Sequence, residues 1–336
     1  MKKYPSIEQF RNVIRDVRQS HDFKGKDEDG KVIYQHTDDY PVLKFKGTVK
    51  LHGTNSGIVK YADGHLEFQS RERVLSLNED NAGFMTEMVT KDLETLFSNL
   101  EFNDFAAIYG EWCGGNIQKG VAINGLPKMF VIFGILVDDV WIEIPKDLHL
   151  NEIGIYNISQ FPTYEIDIDF NTPEIIQNKL IEMTIDVENS CPVGLFFGKE
   201  GIGEGIVFAC ETKPYLRFKS KGEKHSATKV KKLNSVNVEE IESINEFVDA
   251  ACSENRLKQG ISYFNENGLE VDAKNTGDFL RWVVNDVLKE EKDTIIENSL
   301  DENKIKKSIA IKARMWFMYI QFDDSFWLSK LVHVFK

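Results

Sequence analysis

The chain changes texture twice along its length, and this limits its fold more than any single residue does. From about residue 42 it runs as short β-type segments, VLKFKGTVK, HLEFQSR, FAAIYGEW, MFVIFGIL, GIVFAC and LRFKSK, separated by Gly, Asp and Asn turn signals. One amphipathic helix is expected to interrupt them over Met85 to Leu100, with Met88, Val89, Leu93, Leu96 and Phe97 apolar. Another is expected at the start, where Phe10, Val13, Ile14 and Val17 recur at helical spacing behind a Ser6/Gln9 capping box. Strands mixed with isolated helices, without a strict βαβ rhythm, predict an α+β core of largely antiparallel sheets with flanking helices. After Ser226 the period becomes helical through Ile241, Ile244, Phe247, Val248 and Ala251, then Phe279, Trp282, Val283 and Val287, then Ile305, Ile309 and Ala313. This predicts a small all-α C-terminal domain, 226–336, after a core domain, 1–225, with the linker near 222–236. Trp282 and Trp316 read as core stripes of its helices.

Composition agrees with two globular domains: 336 residues, 42% hydrophobic and 28% charged, exclude disorder and fibrous structure for the whole chain. The balance of 41 basic against 54 acidic residues, −13, argues against binding a polyanion by bulk attraction. Four scattered cysteines without a CxxC pair suggest a reduced, cytoplasmic protein. No apolar signal core precedes SIEQF, and the longest apolar run, Met129 to Val137, is far short of the roughly 20 residues that span a bilayer, so neither secretion nor a membrane partner is expected.

The chemistry-bearing residues follow one another at strand ends. Lys50 closes an apolar strand just before a turn containing Gly53, a position from which an amine can be aimed at a ligand; to attack, it must be deprotonated, and burial or nearby cations favour that state. Glu111 in YGEWCGG can accept hydrogen bonds from a ribose hydroxyl, and Phe133 can stack on a purine, although both faces of its strand are apolar and alternation does not choose between them. Glu204, between two glycines, can supply an oxygen ligand to Mg²⁺. Lys219 and Lys221, two apart on a strand, point to one face and suit phosphate oxygens. Glu188 is a second metal candidate, while Cys113 and Cys210 read as buried fillers. Together these residues describe a pocket with a base, a sugar and a phosphate end.

The ordered set KLHG, SR, YGEWCGGNIQKG, FVIFG, EGIV and KSK resembles the motifs of the covalent nucleotidyltransferases, which comprise ATP-dependent DNA and RNA ligases and mRNA capping enzymes with an ATP-grasp-like ligase core. KxHG followed by Thr54 and Asn55, with GExxGxxIQK from Gly110, is most similar to the RNA ligase 2 family, the phage-type double-strand RNA ligases and trypanosome editing ligases. The resemblance covers roughly residues 40 to 225. It implies that Lys50 forms a lysyl-adenylate, framed by Val49, Lys50, Leu51 and His52, partly through backbone atoms. It implies that Asn55 and Arg71 bind the AMP group, Glu111 the ribose, Phe133 the adenine face, and Lys219 and Lys221 the α-phosphate, with Glu204 assisting a metal. Val49 stands where the family often has a carboxylate, so base selectivity would rest on backbone groups.

The implied activity is ATP-dependent joining of an RNA 3′-hydroxyl to a 5′-phosphate, as in RNA repair. ATP and Mg²⁺ or Mn²⁺ would be cofactors and nicked duplex RNA or an RNA–DNA hybrid the partner; the sequence does not fix the oligomeric state, with a monomer favoured. The alternatives are a capping-type guanylyltransferase, for which an OB-fold rather than helices would follow KSK, and a catalytically silent RNA-binding protein on the same fold. The charge objection weakens locally: Lys213, Arg217, Lys219, Lys221, Lys224, Lys229, Lys231 and Lys232 stand against Glu223 alone. Tyr215 and His225 lie in the same stretch.

Overall fold

The computed structural model describes residues 1–37, 39–222, 244–297 and 300–322. The chain divides into two compact units, Met1–Lys224 and His225–Lys336. The first opens with a two-residue strand, β1 (Glu8–Gln9), helix α1 (Phe10–Asp22) and a hairpin of β2 (Phe23–Lys26) and β3 (Val32–Tyr34). Then come β4 (Val42–Lys50), β5 (Thr54–Tyr61), β6 (Leu66–Ser70) and two short helices, α2 (Phe84–Met88) and α3 (Glu94–Phe97). Strands β7 (Phe105–Cys113), β8 (Met129–Val137), β9 (Val140–Ile142), β10 (Ile155–Asn157) and β11 (Thr163–Asp169) lead to α4 (Gln177–Asn189) and α5 (Pro192–Phe196). The last two strands are β12 (Gly205–Cys210) and β13 (Arg217–Lys221).

Two sheets carry the unit. One has the order β1-β13-β12-β4-β11, the other β10-β8-β7-β5-β6 with β9 on β8. Pairing is antiparallel except for β1 on β13 and β10 on β8. In the first sheet, Phe45, Gly47 and Val49 alternate with Lys46, Thr48 and Lys50, so one face of β4 is buried and the other holds the polar residues. Across the buried face lie Ile206, Phe208 and Phe218, packed in one core with Val13 and Val17 of α1 and Leu180 and Val187 of α4. In the second sheet, Ile58, Ile108, Trp112, Phe130 and Ile132 are covered by Phe84, Met88, Leu96 and Phe97. Coverage on both faces explains why β8 is apolar throughout.

Local expectations fail where long-range contacts intervene. The Ser6/Gln9 capping box does not form: Gln9 is the N-cap of α1 without a side-chain cap bond, because Glu8 and Gln9 pair with Phe218 and Lys219 of β13. The helix expected over Met85 to Leu100 is broken. Thr90 Oγ1 donates to the Glu87 carbonyl at the end of α2, and Asp92 accepts from the Glu94 N–H at the start of α3. Val89 is exposed as a result, while Met88, Leu93, Leu96 and Phe97 are buried.

The second unit contains α6 (Ile244–Ala251), α7 (Glu254–Glu266), α8 (Thr276–Glu290), α9 (Lys292–Glu297) and α10 (Glu302–Phe322). Phe247, Val248, Ala251, Phe279, Val283, Val287, Ile305, Ile309 and Ala313 form its core, with Trp282 and Trp316 packed against it. Ile241 lies outside the described residues. Ser253 caps α7, and the fully buried Arg256 reaches Glu291 at 3.1 Å and Asp286 at 3.5 Å. Among the described residues no helix is long and apolar enough to cross a membrane.

Candidate active site

The site is assembled by strand register in the first sheet. Lys50 stands opposite Gly205 on β12, and Gly205 opposite Lys221 on β13. Because β13 alternates, Arg217, Lys219 and Lys221 share one face, while Phe218 and Ser220 are buried on the other. Glu204, immediately before β12, is the buried centre of the group. Its carboxylate accepts from Lys50 Nζ at 2.8 Å and Lys221 Nζ at 2.9 Å, with His52 Nδ1 at 3.4 Å. Gly205 makes this corner possible: its φ is +148°, and a Cβ there would lie 2.1 Å from the Ser220 carbonyl oxygen.

Electrostatics follow from that packing. Burial alone disfavours the Glu204 carboxylate, but Lys221, Lys50 and His52 outweigh it and hold its pKa well below the usual glutamate range. Burial pulls the Lys50 pKa down, yet Glu204 and Glu111 prevail over burial and Arg71, and the value ends above that of an ordinary lysine. Lys221 goes the other way: burial, Lys50 and Lys219 together exceed the pull of Glu204 and lower its pKa. Burial does act on Lys50 in the direction the sequence suggested, toward the neutral amine, but Glu204 and Glu111 outweigh it. A carboxylate close in space and distant in sequence keeps Lys50 protonated.

The second sheet supplies the facing wall. Glu111, on β7, accepts from the Gly53 N–H at 2.9 Å, so the turn after Lys50 is pinned to that strand. Asn55 on β5 is paired with Glu111, and Arg71 follows β6 with its side chain half exposed, close enough to Lys50 to influence its charge. A bulge in the β7–β8 register decides the face of Phe133. Gly110 pairs with Ile132 and Tyr109 with Gly134, which leaves Phe133 as the extra residue. Phe133 packs with Val59, Ala107, Tyr109 and Leu136, and therefore on the side of β7 that carries Tyr109 and Glu111.

Lys50, His52, Glu204 and Lys221 thus meet directly, with Glu111, Arg71 and Lys219 around them. The side chains of Val49 and Leu51 are buried in the core, so toward a ligand they offer backbone atoms. Glu188, near the end of α4, has its carboxyl beside Gly222, whose N–H donates to the Glu204 carbonyl at 3.2 Å. Cys113 and Cys210 are buried and unbridged, and burial pushes the Cys113 thiol well up. Lys224, Lys229, Lys231, Lys232, Glu223 and His225 of the basic stretch lie outside the described residues. Gln118, Tyr4 and Arg217 were not singled out as site residues from the sequence. Gln118 Nε2 donates to the Gly53 carbonyl at 3.5 Å, and only its place in NIQKG marked it. Among the described residues there is no cluster of three or more His, Cys, Asp or Glu able to hold a metal by themselves.

The RNA ligase family model matches residues 44–231, more than half of the chain, and the protein belongs to that family. Among solved structures, Naegleria gruberi RNA ligase with PPi is similar at 19% identity and a TM-score of 0.42, over 66% of this chain and 56% of that one. A mutant of the same ligase with ATP and Mn gives 18% identity and a TM-score of 0.43, over 67% and 57%. The chain thus matches just over half the length of these ligases. Comparison with curated proteins gives no match.

Proposed function

We propose that this protein is an ATP-dependent RNA ligase that joins a 3′-hydroxyl to a 5′-phosphate through a lysyl-AMP on Lys50, acting at nicks in duplex RNA or an RNA–DNA hybrid. Residues 1–225 would be the adenylyltransferase domain and 226–336 a helical accessory domain. The observation that carries this reading is the buried Lys50–Glu204–Lys221 group facing Glu111, in a chain of the RNA ligase family.

In the first step the neutral amine of Lys50 attacks the α-phosphorus of ATP; the N–P bond forms and the bond to pyrophosphate breaks. Lys219 and Lys221, on the face of Lys50, offset charge as pyrophosphate leaves, and Phe133 and Glu111 orient base and ribose. An RNA 5′-phosphate oxygen then takes the AMP and the amine is restored. The 3′-hydroxyl finally attacks the activated 5′-phosphorus, sealing the strand and expelling AMP. Lys50 must lose its proton first, and that loss is favoured by any positive charge that competes with it for Glu204.

The residue that would hold a divalent cation here is Glu204, a carboxylate oxygen donor of the kind Mg²⁺ and Mn²⁺ take together with phosphate oxygens. Bound as Mg²⁺ or Mn²⁺, the cation would neutralise phosphate charge. Labelled ATP or GTP, followed by nicked duplexes of different strand composition, tests the proposal. Acid-stable label from ATP, lost in Lys50→Ala, with sealing at an RNA 3′-hydroxyl, is expected. Label from GTP, no label, or label retained by Lys50→Ala would overturn it.

A further inference from the structure

We infer that Tyr4 is a positioning residue that ties the strand carrying Phe133 to the strand carrying Lys219 and Lys221, and so sets the two walls between which the nucleotide binds. The inference rests on the nucleotidyl-transfer reading of the site. The ring of Tyr4 sits in a socket: its centroid is 4.9 Å from Phe133, edge-on, and 5.3 Å from both Tyr109 and Trp141. Gly134, next to Phe133, leaves the room; a Cβ there would lie 2.9 Å from Tyr4 Cε2. From the other sheet, Arg217 Nη1 donates to the Tyr4 hydroxyl at 2.7 Å, and its guanidinium lies over the rings of Tyr4 and Trp141 at 5.1 and 4.7 Å.

The segment before Tyr4 is itself held. The Lys2 N–H donates to Gln69 Oε1 at 3.0 Å, the Tyr109 hydroxyl donates to the Lys2 carbonyl at 2.8 Å, and Lys2 Nζ lies 3.7 Å over the Phe105 ring. Tyr4 is thus fixed to the second sheet from behind and bonded to β13 in front. Burial raises its pKa against the pull of Arg217, so the hydroxyl stays neutral and accepts from the guanidinium. The two halves of the side chain have separable tasks. The ring supports Phe133 from its edge, and the oxygen holds Arg217, which precedes Lys219 and Lys221 on the same strand face.

Binding of α,β-methylene-ATP, which cannot transfer AMP, and the single-turnover rate of Lys50 labelling by ATP separate these tasks. Tyr4→Phe keeps the ring and loses the oxygen: binding should stay within about twofold, while labelling slows about tenfold, the scale of a lost charge-assisted hydrogen bond. Tyr4→Ala should weaken binding about tenfold as well, the scale of a lost aromatic contact with its burial. Arg217→Gln should slow labelling like Tyr4→Phe, and the double variant should be no slower than Arg217→Gln alone. Since Tyr4→Phe is isosteric, it decides the question even if Tyr4→Ala does not fold. Labelling by Tyr4→Phe within about twofold of wild type, or additive losses in the double variant, overturns the role of Tyr4 and leaves the ligase reading intact. A wild-type protein without Lys50-dependent label overturns that reading and this inference with it.

Discussion

Replacing Glu204 by Gln removes the charge that Lys50 and Lys221 share at 2.8 and 2.9 Å and leaves two ammonium groups facing one another. The Glu204 side chain is 2% exposed and the lysines 20% and 17%, so little solvent is at hand to take its place. Stripping one partner from such a buried group costs about 3 kcal/mol. For a unit of this size, at about 3 °C per kcal/mol, the melting temperature should fall by about 9 °C. The pH dependence of this stabilisation follows from the directions of the shifts. Glu204 has a depressed pKa, so its contribution is complete above the usual glutamate value of about 4.3 and is lost as pH falls through its lower folded value. Lys50 has a raised one, so its contribution is complete below about 10.4 and is lost as pH rises through the folded value. The stability gap between wild type and Glu204→Gln should close toward strong acid, where Glu204 takes up its proton, and narrow on the alkaline side, where the variant's Lys50 and Lys221, left without that carboxylate, lose theirs before the wild-type pair does.

The same substitution predicts a kinetic change of opposite sense. Without Glu204, burial and Arg71 still disfavour the Lys50 ammonium while Glu111 still supports it, so its proton should leave at lower pH. Single-turnover labelling by ATP, followed from about pH 6 to about pH 10, should show a profile displaced to lower pH, even if the plateau rate drops. A profile in the same place, or displaced upward, would refute the claim that Glu204 sets the charge of Lys50.

Two further substitutions test the scaffold. Gly205→Ala places a methyl 2.1 Å from the Ser220 carbonyl at a φ of +148°, and should cost more than about 2 kcal/mol in denaturant unfolding and misplace Glu204. In the helical unit, Glu291→Gln leaves the fully buried Arg256 guanidinium without its 3.1 Å carboxylate partner; a loss of about 3 kcal/mol is expected, seen as an earlier helical melting step by circular dichroism.

What could be read from the sequence was whatever depends on neighbours along the chain. Two-residue alternation on β13 puts Lys219 and Lys221 on one face, and a strand end before a turn gives Lys50 its exit from the sheet. The helical period after Ser226 likewise matches α6, α8 and α10. Contacts made across the chain overrode local signals. Pairing of Gln9 with β13 displaced a capping box, side-chain bonds from Thr90 and Asp92 ended one helix and began another, and a bulge chose the face of Phe133.

The raised pKa of Lys50 is the most consequential of these cases, since the carboxylate behind it, Glu204, lies 154 residues further along the chain. An amine held as an ammonium by a buried carboxylate is a poor nucleophile, so in the proposed reaction Lys50 would lose its proton once another positive charge engages Glu204. Assembly of the substrate complex, rather than the resting fold, would then supply the reactive state of Lys50.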